Sequence, residues 1–213
     1  MKKKHSLIYG VGINDANYVV KQSNNGVRTY CKYYSDWMSM LQRGYSSLWK
    51  NKYPSYKDVY VVEAWHTFST FREWVISYEN RFGIDANFYH LDKDLILPRN
   101  TTYGPEFCAY VDSPTNKCIG ISQVKSGNLP FGVYFERCSG KYKAQIKDYS
   151  KNQTNLGRYD TAEEAHRVWQ KAKHRVLKDI ANKQFDFRVK SGILIRVDTL
   201  MEDYKRGIET KYI

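Results

Sequence analysis

Lys141-Tyr142-Lys143-Ala144-Gln145-Ile146-Lys147 alternates polar and apolar residues without a break. In an extended chain successive side chains point to opposite faces. Lys141, Lys143, Gln145 and Lys147 therefore share one face, and Tyr142, Ala144 and Ile146 share the other. One face is basic and the other is fit for a core. On the N-terminal side, Phe131-Gly132-Val133-Tyr134-Phe135-Glu136 is rich in β-branched and aromatic residues and ends at the turn signal Cys138-Ser139-Gly140. On the C-terminal side, a polar turn around Tyr149 to Gln153 leads into Thr154-Asn155-Leu156-Gly157-Arg158-Tyr159, a third short strand. Asp160-Thr161-Ala162-Glu163-Glu164 reads as a helix start, with a capping oxygen and two carboxylates where the helix dipole favours them. Ala165, Val168, Trp169, Ala172, Val176 and Ile180 follow at spacings of three and four and form an apolar stripe. The expectation is a three-stranded antiparallel sheet closed on one face by a helix. Its open face presents Lys, Arg and Gln, and a basic ribbon of this kind can enter the major groove of B-DNA.

Charge supports that placement. The 213 residues carry 34 Lys+Arg against 22 Asp+Glu, a formal net charge of +12. Before Lys125 there are 15 basic and 11 acidic residues, and from Lys125 onward 19 and 11, so +8 of the excess lies in the shorter C-terminal part. Such an excess asks for a polyanionic partner. Hydrophobic residues at 42% and aromatics at 15% are enough to bury a core. The longest apolar runs, Val59-Tyr60-Val61-Val62 and Ile193-Leu194-Ile195, fall far short of the roughly 20 residues a membrane-spanning helix needs. No apolar stretch of signal-peptide length follows Met1-Lys2-Lys3-Lys4, so a cytoplasmic, unsecreted protein with no membrane partner is expected. Cys31, Cys108, Cys118 and Cys138 are scattered, which indicates neither a disulfide scaffold nor a zinc ribbon.

The N-terminal half has another vocabulary. Gly10-Val11-Gly12-Ile13-Asn14-Asp15 lies in a turn-rich arm without the strand and helix that frame a phosphate loop. Ser35 to Arg43 has a helical pattern with Trp37, Met40 and Leu41 on one face, Lys50 to Pro54 reads as a turn, and Val59 to Val62 as a strand or buried run. A second helix over Thr67 to Ser77 buries Phe68, Phe71, Trp74 and Val75; Trp37, Trp65 and Trp74 are the expected core. Tyr89 to Val111 then reads as a strand bearing acids, a loop with Pro98, Asn100, Gly104 and Pro105, and a second strand, followed by Pro114-Thr115-Asn116. A strand, loop, strand and helix is the frame a ββα-metal nuclease uses. There an acid and a helix residue hold one Mg²⁺ on the scissile phosphate while a nearby base activates water.

Leu129-Pro130-Phe131-Gly132-Val133, Gly140 to Ile146, Leu156 to Ala165 and Trp169 together resemble the Apetala-type, ethylene-response-factor-like DNA-binding domain over about residues 127 to 180. The resemblance implies that Tyr134, Glu136, Arg137, Lys141, Lys143, Gln145, Lys147 and Arg158 meet duplex DNA. Further blocks extend it across nearly the whole chain: Gly10 to Asp15, Trp37 with Met40 to Ser46, Tyr53-Pro54 with Tyr56, Glu63 with Trp65, Phe68 and Phe71, Leu91 to Asp94, Asn100, and Pro105-Glu106 with Cys108. This order resembles the homing endonucleases of tailed bacteriophages, which join an HNH-like half to an Apetala-type domain.

Polar Gln123 to Pro130, with Gly127 and a Pro130 that cannot join a central ladder, reads as a linker. With it, the expectation is an α+β chain in which the resemblance implies an HNH-like domain at 1–122, followed by the linker at 123–130, the DNA-binding domain at 131–182 and a helical tail at 183–213. The resemblance also implies His90, Asp92, Lys93 and Asn100 as catalytic residues, Asp92, Asp94 and Asn116 as ligands for Mg²⁺ or Mn²⁺, and the cytoplasm of an infected bacterial host as the location. Two departures stand against cleavage: Lys93 takes the place of the usual His after the strand Asp, and Phe107 that of the Asn before the second strand's Cys. The alternative is a sequence-specific DNA-binding protein whose nuclease half has lapsed. In the tail, Val189, Ile193, Leu194, Val197, Leu200 and Met201 lie at helical spacing, for packing on the preceding helix or for a homodimer.

Overall fold

The computed structural model describes residues 7–24, 27–119, 129–150 and 152–212. The chain is α+β and divides into two compact units, Met1–Tyr110 and Val111–Ile213. Of the expected linker at 123–130, only Leu129 and Pro130 lie within the described residues.

In the first unit the arm from Ile8 to Ile13 is held against the core. The Ile13 N–H donates to the His66 carbonyl at 2.8 Å, and the Phe68 N–H donates to the Ile13 carbonyl at 3.0 Å. Gly12 is needed because a Cβ there would press on the Leu41 and Trp37 side chains. Then come β1 (Lys21–Asn24) and β2 (Val27–Tyr30), an antiparallel hairpin where the sequence signals only an arm. Helix α1 (Lys32–Tyr45) buries Tyr34, Trp37, Met40, Leu41 and Gly44, and a short α2 (Ser47–Lys52) replaces part of the expected turn. Strand β3 (Tyr60–Val61) precedes α3 (Phe68–Phe82), which buries Phe68, Phe71, Val75 and Tyr78 and stops at left-handed Gly83. The core is aromatic: Tyr34 and Trp37 pack on Phe68, and the Trp37 indole N–H reaches the Trp65 carbonyl at 2.7 Å. Trp74 is only half-buried at its edge, stacked with Tyr110.

Strands β4 (Tyr89–Asp92), β5 (Thr102–Tyr103) and β6 (Ala109–Asp112) follow. β5 pairs in parallel with β3, and β4 pairs with β6, within which the two units divide. Helix α4 (Ser113–Ile119) comes directly after, in the second unit.

The second unit contains β7 (Val133–Glu136), β8 (Lys141–Lys147) and β9 (Gln153–Tyr159), an antiparallel sheet in the order β7-β8-β9. Its covered face carries Val133 and Ala144, which pack with Ala165 of α5 (Ala162–Asn182) and with Tyr142, Leu156 and Tyr159. Thr161 caps α5 with a reciprocal Thr161–Glu164 box. The buried stripe of α5 is rotated from the one expected. Ala165, Trp169 and Ile180 are buried, but so are His166, Gln170, Lys173 and Leu177, while Val168, Ala172 and Val176 are half-buried. The rotation arises because both sides of α5 are covered, by the sheet and by α6 (Phe187–Arg206). The α6 stripe of Val189, Ile193, Val197 and Leu200 is buried, with Leu194 and Met201 at its half-buried edge. The helical face left open between two partners thus packs on α5 within the chain. The segment after α6 folds back, and His166 and Gln170 hold its backbone: the Thr210 N–H donates to His166 Nε2 at 3.0 Å, and Gln170 Nε2 donates to the Ile208 carbonyl at 3.0 Å.

Candidate nucleic-acid interface

Register places the basic residues. Tyr134 lies opposite Lys143, which lies opposite Arg158, and Glu136 lies opposite Lys141. The pairing slips between Ala144 and Gln145, where Leu156 is an extra residue on β9, so that Gln145 faces Asn155 and Lys147 faces Gln153. Gly157, at φ 122, sits in this irregularity. The uncovered face therefore brings together Tyr134, Glu136, Lys141, Lys143, Gln145, Lys147 and Arg158, and adds Gln153 and Asn155. An unbroken alternation back from Arg158 would have placed Thr154 there instead, and Gly157 in mid-strand is the sequence signal for the bulge. Arg137 is exposed in the β7–β8 turn.

The cations of this face differ in how they are held. Arg158 Nε and Nη2 donate to Glu136 Oε2 and Oε1 at 2.5 and 3.0 Å, a two-pronged pair that fixes the guanidinium plane. Those hydrogen bonds, with one from Ser139 Oγ at 2.7 Å, hold the Glu136 carboxyl down at about 2. Lys141 is paired with Asp160. Lys143 and Lys147 make no ion pair among the described residues. Gln153 Nε2 donates to Gln145 Oε1 at 2.6 Å, which orients both amides. Tyr134 stands 47% exposed beside Lys143. No protein-family model, no curated protein and no solved structure matches the chain.

The second group of expected site residues lies in the loop that leaves β4. His90 is exposed on β4. Asp92 Oδ1 accepts from the Asp94 and Leu95 N–H groups at 2.7 and 2.8 Å, closing a turn. The Lys93 side chain is buried, and its ammonium donates to Asp94 Oδ1 at 2.6 Å and to the Asn100 carbonyl at 2.5 Å. Asn100, also buried, donates through Nδ2 to the Lys93 and Thr102 carbonyls at 2.8 and 2.6 Å, while its Oδ1 accepts from the Thr102 N–H. The loop brings Asp92, Lys93, Asp94 and Asn100 together, but Asp92, Lys93 and Asn100 are engaged in holding its backbone and Asp94 is paired with Lys93. Asn116 belongs to α4 in the second unit.

This donor set does not fit Mg²⁺ or Mn²⁺. A hard cation needs six oxygens or so around it, and here the Lys93 ammonium already lies against the Asp94 carboxylate. Asn100 Oδ1 already accepts a backbone N–H, and its Nδ2 is tied to two carbonyls. An ammonium that donates to a carboxylate and a carbonyl also has no lone pair with which to act as a base. Among the described residues, no three His, Cys, Asp or Glu side chains form a metal-holding group, and no helix is long and apolar enough to cross a membrane.

Proposed function

We propose that the chain is a duplex-DNA-binding protein that reads the major groove with the outer face of β7-β8-β9. The observation that carries this reading is the register row Tyr134–Lys143–Arg158. It sets Lys143, which makes no ion pair among the described residues, between an exposed aromatic ring and a guanidinium held flat by Glu136. Phosphate contacts supply affinity and position, while base-edge contacts supply specificity. Lys143 and Lys147 suit the first task as mobile point charges, and Arg158, Gln145 and Asn155 suit the second because guanidinium and amide groups match base edges in pairs of hydrogen bonds.

Phosphodiester hydrolysis, which the resemblance to phage homing endonucleases implies, draws no matching support from the Asp92–Asn100 loop. We therefore favour the DNA-binding protein in which that loop is a structural element. Selection of binding sites from a random duplex pool, followed by gel-shift titration of wild type and Lys143→Ala, tests the proposal. Wild type is expected to enrich a sequence and Lys143→Ala to bind it about tenfold or more weakly. A pool that passes through without enrichment or retention overturns it. Incubating the same duplex with Mg²⁺ or Mn²⁺ tests hydrolysis separately, and intact DNA is the expected result.

A further inference from the structure

The β1–β2 hairpin of the first unit has no part in the sheet-face reading, and its construction asks for a partner. Among the described residues the two strands pair only with each other: Lys21 lies opposite Tyr30, Gln22 opposite Thr29 and Ser23 opposite Arg28. All six of these residues are exposed. Alternation puts Lys21, Ser23, Arg28 and Tyr30 on one face and Gln22 and Thr29 on the other, so neither face covers a core. A lone two-stranded ribbon is at best marginally stable in water. This one is anchored at its base, where Val20 is buried, the Cys31 N–H donates to the Val20 carbonyl at 3.0 Å, and the Tyr30 ring stacks on Tyr34.

Its charge is one-sided. From Ala16 to Ser35 there is no Asp or Glu, while Lys21, Arg28 and Lys32 are basic. Lys32 is neutralised by Asp36 at 2.5 Å. Lys21 and Arg28 make no ion pair among the described residues, and Lys21 lies over the Tyr30 ring, 5.8 Å from its centre.

We propose that the β1–β2 ribbon is a second contact element for duplex DNA. This rests on the reading that the chain binds duplex DNA, but it assigns a separate surface to that partner. Two strands about 4.8 Å apart fit a major groove about 12 Å wide. Lys21 and Arg28 meet phosphates or guanine edges along one flank, and Gln22 and Thr29 offer amide and hydroxyl groups along the other. The deep, narrow major groove of duplex RNA does not admit such a ribbon, which makes duplex RNA the informative competitor.

The test uses the full chain, with gel-shift titration over a salt series and hydroxyl-radical footprinting on the selected duplex. The variants are Lys21→Ala/Arg28→Ala, Gln22→Ala and, as the sheet control, Lys143→Ala. Because the ribbon residues are exposed and cover no core, circular dichroism is expected to match wild type. The double variant is expected to bind about tenfold more weakly and to lose about two units of salt slope. It should also lose a patch of protection that Lys143→Ala retains, and duplex RNA should compete poorly. Unchanged affinity, slope and footprint in the double variant, with Lys143→Ala weakened, overturns the ribbon and leaves the sheet standing. The reverse pattern leaves the ribbon and overturns the sheet. A wild type that binds no duplex DNA overturns both.

Discussion

Arg158 on β9 reaches across β8 to Glu136 on β7 and donates two hydrogen bonds to its carboxylate, on the sheet face turned away from α5. An exposed ion pair of this kind adds little to stability. Its consequence is orientation, since it holds a guanidinium plane in a set position on the face proposed to meet DNA.

Replacing Glu136 therefore separates charge from orientation. Glu136→Gln removes one negative charge from the face and lets Arg158 swing free. Binding to random duplex is expected to strengthen, with a salt slope steeper by up to about one unit. Discrimination against single-base changes is expected to fall by roughly 1 to 3 kcal/mol at one position. Affinity measured on matched and mismatched duplexes checks both, and a variant that keeps full discrimination contradicts the orienting role.

The loop after β4 yields a stability prediction that also bears on catalysis. Asn100→Ala strands the Lys93 and Thr102 carbonyls and the Thr102 N–H in a buried site. It is expected to cost about 2 to 4 kcal/mol in chemical denaturation. Asp92→Asn keeps the oxygen that closes the turn and is expected to stay within about 0.5 kcal/mol of wild type. A wild-type cleavage activity abolished by Asp92→Asn without loss of stability would contradict a purely structural loop.

Gly132→Ala tests the packing that supports the sheet. Gly132 has φ +73, and a Cβ there would overlap the Trp169 indole of α5. Overlap and a left-handed backbone together are expected to cost at least about 3 kcal/mol. The midpoint of chemical denaturation followed by circular dichroism reads the loss. A near-native midpoint would show that α5 can shift away from β7.

His166 sets a pH dependence in the second unit. It is buried; Nδ1 is bonded to the Phe131 carbonyl and must donate, while Nε2 accepts from the Thr210 N–H, so the imidazole is neutral. Burial pushes its pKa below the ordinary value, against weaker upward pulls from the Phe131 carbonyl, Glu209 and Asp203. A His with a lowered folded-state pKa binds more protons when unfolded. Its stabilising effect is thus full above the ordinary His value of about 6.5 and is lost as pH falls from there toward the folded-state value. His174 shifts the same way but is only half-buried. Thermal melts from neutral to mildly acidic pH are expected to show falling stability in wild type and a flatter profile in His166→Gln. Equal pH slopes in the two would contradict this account.

The sheet was legible from sequence because strand alternation and helix capping are local rules: Lys141 to Lys147, the Ser139-Gly140 turn and the Thr161–Glu164 box all carry their signals within a few residues. The bulge at Leu156 was not, since only pairing with Gln145 reveals which of Thr154 and Asn155 faces outward. The rotated stripe of α5 has the same origin. His166, Gln170 and Lys173 are polar by type and become buried only because the C-terminal segment and the Cys118 carbonyl supply their partners. In the first unit, Asp92, Lys93 and Asn100 are chemically suggestive residues whose spacing says nothing about direction. Folding turns them onto their own backbone.

The salt dependence of duplex binding decides whether the β7-β8-β9 face meets DNA phosphates. Titrations of wild type, Lys143→Ala and Lys143→Ala/Lys147→Ala against one selected duplex give the slope of log affinity on log salt. Wild type is expected to show a steep negative slope that flattens by about one unit with each lysine removed. Wild-type binding that is absent, or a slope and affinity that both substitutions leave unchanged, would contradict it.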